Sequence, residues 1–186
     1  MKNIFKLVFG VMLSSFAITM VINAGLGVFP ITATNLAIAN WMNVSVGISG
    51  ALVELLMLIL AYKLKEGLTL TGIINATIGS LLIDVWSLFL PKSPLMILGI
   101  FLLPIAWYFS SSAGYGDTNQ NLIMKAILKR TNKSIGFVRG CQEVLFLGIG
   151  LLGAMSFISP LTIVLSLGFG YVIQFEYKLL RYKPED

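Results

Sequence analysis

The chain contains no histidine and a single cysteine among 186 residues. Without histidine, the commonest general base and the usual zinc-ligand patterns are missing. One cysteine, Cys141, excludes an intramolecular disulfide. With no imidazole to activate it, its thiol reads as a small packing residue rather than a nucleophile. Charge is scarce as well: acidic and basic residues together make up 11% of the chain, whereas soluble domains carry about 25%. The sequence holds no phosphate loop, serine-hydrolase motif or metal-ligand cluster. No catalytic residues, no metal, no cofactor and no enzymatic activity are therefore expected.

What is abundant is apolar. Hydrophobic residues account for 57% of the chain and the mean hydropathy is +0.90. A soluble chain of this length could not hide so much apolar surface, so the bilayer is the expected solvent. Hydrophobic stretches run over 5–23, 45–62, 70–90, 94–112, 134–154 and 159–177. The expected fold is all-α: a polytopic membrane protein of six spans, with 1–186 forming a single transmembrane domain. Lys2 and Lys6 ahead of the first apolar run give it the look of a signal peptide. A repeat argues that this segment is retained.

The same pattern is written twice, 89 residues apart. Ala24-Gly25-Leu26-Gly27 returns as Ala113-Gly114-Tyr115-Gly116, and Asn43, Ser45 and Gly47 return as Asn132, Ser134 and Gly136. Glu54 returns as Glu143, each a charge inside an apolar run. From 24 to 79, 13 of the 56 positions are identical without a gap, which points to a duplicated unit. The first span joins the pattern, with Gly10 on Gly99 and Leu13 on Leu102. The halves are 1–92 and 93–186, each with three spans.

Charge gives the direction. If the chain crosses six times, Lys2, Lys6, Lys63, Lys65, Lys125, Lys129, Arg130, Lys133, Lys178, Arg181 and Lys183 share one side. The other side has only Lys92. The positive-inside rule then puts both termini in the cytoplasm, with the protein multi-pass in the inner (cytoplasmic) membrane. Three spans per half is an odd number, so the second half enters from the opposite face. The expected arrangement is a 3+3 inverted repeat with a short helix after the first span of each half.

Those short segments differ. Asp117 is the expected N-cap of the second, and Asp117, Asn121, Lys125 and Lys129 form a polar stripe opposite Ile123, Ala126 and Ile127. This predicts an amphipathic helix on the cytoplasmic surface. Residues 31–42 carry no charge, which leaves both an interfacial and a re-entrant placement open.

Glu54 and Glu143 are the sharpest candidate site residues. An acid at mid-span costs about 3 kcal/mol on insertion scales, so each should face protein or water. Equivalent depth would let them share one cavity and hold a proton or a cation; the competing reading is a hydrogen-bonded clamp between helices. Arg139 stands one helical turn before Glu143 and could pair with it or bind an anion, or else snorkel to the headgroups. Gln142 is a weaker polar candidate. Gly25, Gly27, Gly114 and Gly116 permit unusual backbone angles where helices break. Amides at the helix starts that follow, near Asp117 in the second half, could face an anion. Asp84 reads as a boundary charge rather than a gate, and Glu176 as interfacial. Trp41, Trp86 and Trp107 receive no ligand role.

The run GLGVFPITATNLAIANW followed by Ser45-Val46-Gly47, and the run GYGDTNQNLIMKAILKRTNKSIGFVRG, resemble the YczE/YyaS/YitT group of bacterial membrane proteins, nearest its YczE-like branch. The resemblance spans roughly residues 10–178 and implies the same architecture. It departs from the group's pattern at Pro30, which is followed by Ile31 rather than an acid, and at Asp117, which has no proline before it. The functional expectation is a small-solute permease with a midplane site between the halves, coupled to protons or cations. The alternatives are a substrate-binding membrane subunit of a vitamin-uptake complex and a non-transport scaffold or regulatory protein. Expected partners are the lipid bilayer and a small solute, with homo-oligomers open and nucleic acid excluded.

Overall fold

The computed structural model describes residues 3–179. Lys2, Arg181 and Lys183 of the charge argument lie outside the described residues, as does the side chain of Glu176. In chain order the helices are α1 (Ile4–Ala24), α2 (Pro30–Met42), α3 (Val46–Lys63), α4 (Leu70–Phe89), α5 (Pro94–Ser112), α6 (Asn119–Leu128), α7 (Ile135–Gly153) and α8 (Pro160–Leu179). Among the described residues there is no strand.

Five of these helices, α1, α3, α4, α5 and α7, are long and apolar enough to cross a membrane. The chain is thus an all-helical, multi-pass type of membrane protein. The sixth expected span, α8, is a helix of 20 residues but is not among those five. Gln174, Glu176 and Lys178 dilute the apolar character of its last turns.

Polarity is distributed inside out. Large apolar side chains such as Leu56, Leu88, Phe101, Leu145 and Leu152 are exposed, while Thr19, Ser49, Thr71, Asn119, Arg139 and Glu143 are buried. Lipid accepts the first set; for the second, any hydrogen-bond partner has to come from within the bundle. Leu56 and Leu145, equivalent in the duplication, are both 64% exposed, so the repeat repeats its orientation.

Local chemistry sets the helix starts. Asn3, Ser45, Thr69 and Ser134 each accept a backbone N–H three residues on, from Lys6, Ile48, Gly72 and Phe137. These are ordinary side-chain N-caps. Asp84 has a related task. It accepts from the Ser45 hydroxyl and, at 2.8 Å, from Gly47 N–H, tying the start of α3 to α4. In the second half Gln174 accepts from Gly136 N–H at 3.0 Å. Asp84 is therefore a helix-start tether, more specific than a boundary charge.

The two halves interleave. α1 packs on α5, α2 of the first half packs on α7 of the second, and α6 of the second packs on α3 of the first. Gly10 abuts α5 at Ala106 and Ser110, whereas its equivalent Gly99 abuts α1 at Ala17, Met20 and Val21. The start of α1 thus meets the end of α5, so the two helices run antiparallel. A Cβ at Gly10 would press into the Ser110 amide and the Ala106 carbonyl, which belong to backbone and cannot turn away. Gly10→Ala is expected to cost about 1–3 kcal/mol, the usual range for overpacking, read as a lower thermal midpoint in detergent micelles.

The glycine turns have matching contacts. Gly27 has φ +127° and Gly116 has φ +89°, angles that side chains rarely adopt. Beside Gly27, Ser159 Oγ donates to Leu26 O at 2.6 Å; beside Gly116, Thr69 Oγ1 donates to Asp117 O at 2.7 Å. In each case the glycine turn that follows α1 or α5 is held by a hydroxyl at the start of α8 or α4. A Cβ at Gly27 would strike Ser159, and one at Gly116 would strike Thr69.

α6 departs from its expected place. It does not lie on the surface: Asn119, Gln120, Leu122, Ile123, Met124 and Ala126 are all buried. Its polar stripe is engaged by protein, although Lys129 at its end stays exposed. Asp117 pairs with Lys125 at 2.8 Å, Asn121 faces Arg139, and Lys129 pairs with Glu66 at 2.8 Å. Asp117 is not the N-cap; Thr118 is, and the Asp117 carboxylate turns to Lys125 instead. α2 is likewise buried over its first turns, from Pro30 to Ala37 apart from Ile31.

Candidate functional site

Polar side chains from both halves converge on one cavity of about 90 Å³. That is room for several waters or a small solute. The first half supplies Ser14, Thr32, Asn35, Glu54 and Asn75, and the second supplies Trp107, Gln120, Asn121, Arg139 and Glu143. The first turns of α2 and α6 reach this space, as does the part of α4 where the backbone widens into a π-helical turn at Asn75–Gly79. Such turns are frequent at functional sites, because they redirect side chains without ending the helix.

Glu54 is held from the other half. Its Oε2 accepts from Asn119 Nδ2 at 2.8 Å, and the same amide also donates to Glu54 O and Gly72 O, each at 3.1 Å. Asn119, the first residue of α6, is fully buried and so pins that helix between α3 and α4.

Glu143 sits in a tighter setting. Arg139 Nε lies 2.8 Å from Glu143 Oε1, with both side chains almost wholly buried. Arg139 Nη2 donates to Gln120 Oε1 at 2.6 Å, Nη1 donates more weakly to Asn121 Oδ1 at 3.4 Å, and the guanidinium lies 5.6 Å from the centre of the Trp107 ring. Arg139 does not snorkel. Its charge is met by a carboxylate, two amide oxygens and an aromatic face, which together replace the headgroup region as its surroundings.

Of the residues singled out from sequence, Glu54, Arg139 and Glu143 come together here. Gln142 does not line the cavity; its amide donates to Gln120 O at 3.4 Å. Gly27, Gly114, Gly116 and Asp117 lie outside the lining, and Gly25 borders a separate cleft with Lys92 and Phe157. The glycine turns contribute at one remove, by setting where α2 and α6 begin. Sequence reading passed over Thr32, Asn35 and Gln120 and gave Trp107 no ligand role. A visible signal existed for some of them, since residues 117–121 form an unbroken polar run between two apolar segments.

Comparisons with curated proteins and with solved structures give no match. A family model does match, over residues 1–178, nearly the whole length. The chain belongs to that family, DUF6198, a family of unknown function.

Proposed function

We propose that this protein is a small-solute permease whose two halves form a six-span inverted repeat around the cavity. The observation that carries this reading is that the duplicated acids, Glu54 and Glu143, line one polar space inside an apolar shell. The antiparallel run of α1 and α5, and the exchange of hydroxyl contacts between Ser159 and Leu26 and between Thr69 and Asp117, support the inverted relation. α8 is then the sixth span, and both termini are cytoplasmic. The YczE-like resemblance belongs to the same proposal, as a neighbouring group of like architecture.

Alternating access has a physical basis in the ends of the short helices. At the end of α6, Lys129 pairs with Glu66 and Arg130 Nη2 donates to Leu64 O at 3.2 Å. At the end of α2, Asn40 Nδ2 donates to Gly153 O at 2.8 Å. Each half's short helix thus closes at the far end of the other half's second span, and rocking of the halves would release one closure at a time. Glu54 is the proposed coupling residue for a proton or cation, because Glu143 is engaged by Arg139.

Orientation is tested by labelling. With Cys141 replaced by serine, a cysteine at Lys65 is expected to react with an impermeant maleimide only after the membrane is opened. A cysteine at Lys92 should react in intact cells. The same side for both removes the inverted arrangement. Flux is tested in proteoliposomes with a panel of labelled solutes, with and without an inward proton gradient. Gradient-driven accumulation is expected; folded protein that moves no solute but holds one protein partner would replace the permease with a scaffold.

A further inference from the structure

The two helices that open on the cavity lack what the spans possess. Phe29, the N-cap of α2, has no side-chain acceptor to offer, and Thr118 makes no side-chain capping bond at the start of α6. Phe29 and Thr118 both line the cavity, so two helix N-termini without side-chain caps bring their positive dipole ends to one space. A second observation stands apart from the helix ends. Thr32 Oγ1 and Gln120 Nε2 are buried and have no hydrogen-bond partner among the described residues. Thr32 is 1% exposed and Gln120 6%, and both line the cavity. A hydroxyl and an amide N–H left unanswered there call for an acceptor.

The same cavity has an opposite need. Asn35 Oδ1, one turn beyond Thr32 on α2, is buried without a donor. Among the described residues Glu54 accepts a side-chain hydrogen bond from Asn119 through one of its two oxygens. Glu143 does not add to this demand, since Arg139 lies against it. Arg139 is paired with Glu143, which leaves Glu54 as the ionisable group of the lining with no ion-pair partner among the described residues. A plain anion would satisfy the helix ends and be repelled by Glu54. A plain cation would suit Glu54 and leave Thr32 and Gln120 unpaired.

We propose that the cavity binds a small zwitterion of the amino-acid type. Its carboxylate lies at the N-termini of α2 and α6, with Thr32 and Gln120, and its ammonium meets Glu54 and Asn35. This rests on the permease reading for the solute's passage, but not for its binding. The cavity of about 90 Å³ favours the smaller members of the class.

The test is isothermal titration of the full chain in detergent. The probes are the twenty standard amino acids one at a time, with propionate and ethylammonium as single-charge controls. At least one small amino acid is expected to bind, with propionate and ethylammonium each at least tenfold weaker. Thr32→Val should weaken that binding about tenfold or more, and Thr32→Ser, which restores the hydroxyl, should recover it. Gln120→Glu keeps an oxygen for Arg139 but places an acceptor where the carboxylate needs a donor, and should abolish binding. Each variant is compared by gel filtration to establish that it is folded. Binding of no amino acid, equal binding of a single-charge control, or a Thr32→Val protein of unchanged affinity would overturn the proposal. Amino-acid binding without flux in proteoliposomes removes the permease and keeps the site. Flux of a singly charged solute with no amino-acid binding does the reverse.

Discussion

Arg139→Leu is expected to be the most damaging single substitution in this protein, costing about 3–5 kcal/mol of stability. The reason is an asymmetry of buried charge. In the native chain Arg139 and Glu143 lie 2.8 Å apart, with side chains 2% and 1% exposed. Neither meets lipid headgroups or bulk water, so each depends on the other. Removing the guanidinium leaves the carboxylate without its partner and also strips Gln120 Oε1 of the donor it meets at 2.6 Å. Removing both charges is a different experiment. Arg139→Leu combined with Glu143→Leu discards the pair whole, and apolar replacements of buried pairs are often tolerated. The double variant should regain at least half of the lost stability; the amide oxygens of Gln120 and Asn121 stay unpaired and account for the rest. Thermal unfolding in detergent micelles reads both effects. Single and double variants equally unstable would mean that the loss lies in packing, against Trp107 for instance, rather than in charge.

Glu54→Gln should act on transport instead of stability. Glutamine matches glutamate in size and keeps a carbonyl oxygen for the Asn119 amide, now 2.8 Å from Glu54 Oε2. Loss of the charge from that bond is expected to cost no more than about 1 kcal/mol. What disappears is the capacity to take up and release a proton or hold a cation. Gradient-driven flux in proteoliposomes should fall more than tenfold while the thermal midpoint barely moves. Glu143→Gln is predicted to differ, lowering the midpoint sharply because Arg139 would be left with an uncompensated charge. Unchanged flux in Glu54→Gln would take this carboxylate out of the mechanism and leave it as a clamp on α6.

The contrast between the two acids could not be read from the duplication. In sequence Glu54 and Glu143 are the same residue written twice, and only the neighbours differ: Gly50 stands where the second copy has Arg139. The i,i+4 spacing made the Arg139–Glu143 pair legible, because a helix places those positions on one face. That Arg139 would stay inside, however, depended on Gln120, Asn121 and Trp107, which come from other helices. For the same reason α6 was misjudged. Its stripe of Asp117, Asn121, Lys125 and Lys129 has the pattern of a surface helix, and periodicity cannot tell polar side chains that face water, as Lys129 does in part, from those that face protein partners such as Arg139.

The sequence by itself determined the solvent, the helices and the duplication. Scarce charge and long apolar runs leave lipid as the medium that accepts this chain's side chains, where a backbone is satisfied only within its own helices, and the 89-residue offset follows from identities that need no coordinates. Glycine and proline marked where the helices break, since backbone angles are local properties. Only the tertiary structure decided which polar groups face one another. Thr32 and Asn35 from one half, and Gln120 and Arg139 from the other, lie far apart along the chain and meet because α1 packs antiparallel on α5 and each short helix inserts into the opposite half. Hydrogen bonds and ion pairs act over a few ångströms in space, and nothing in a residue's immediate sequence neighbourhood reports what lies across that distance.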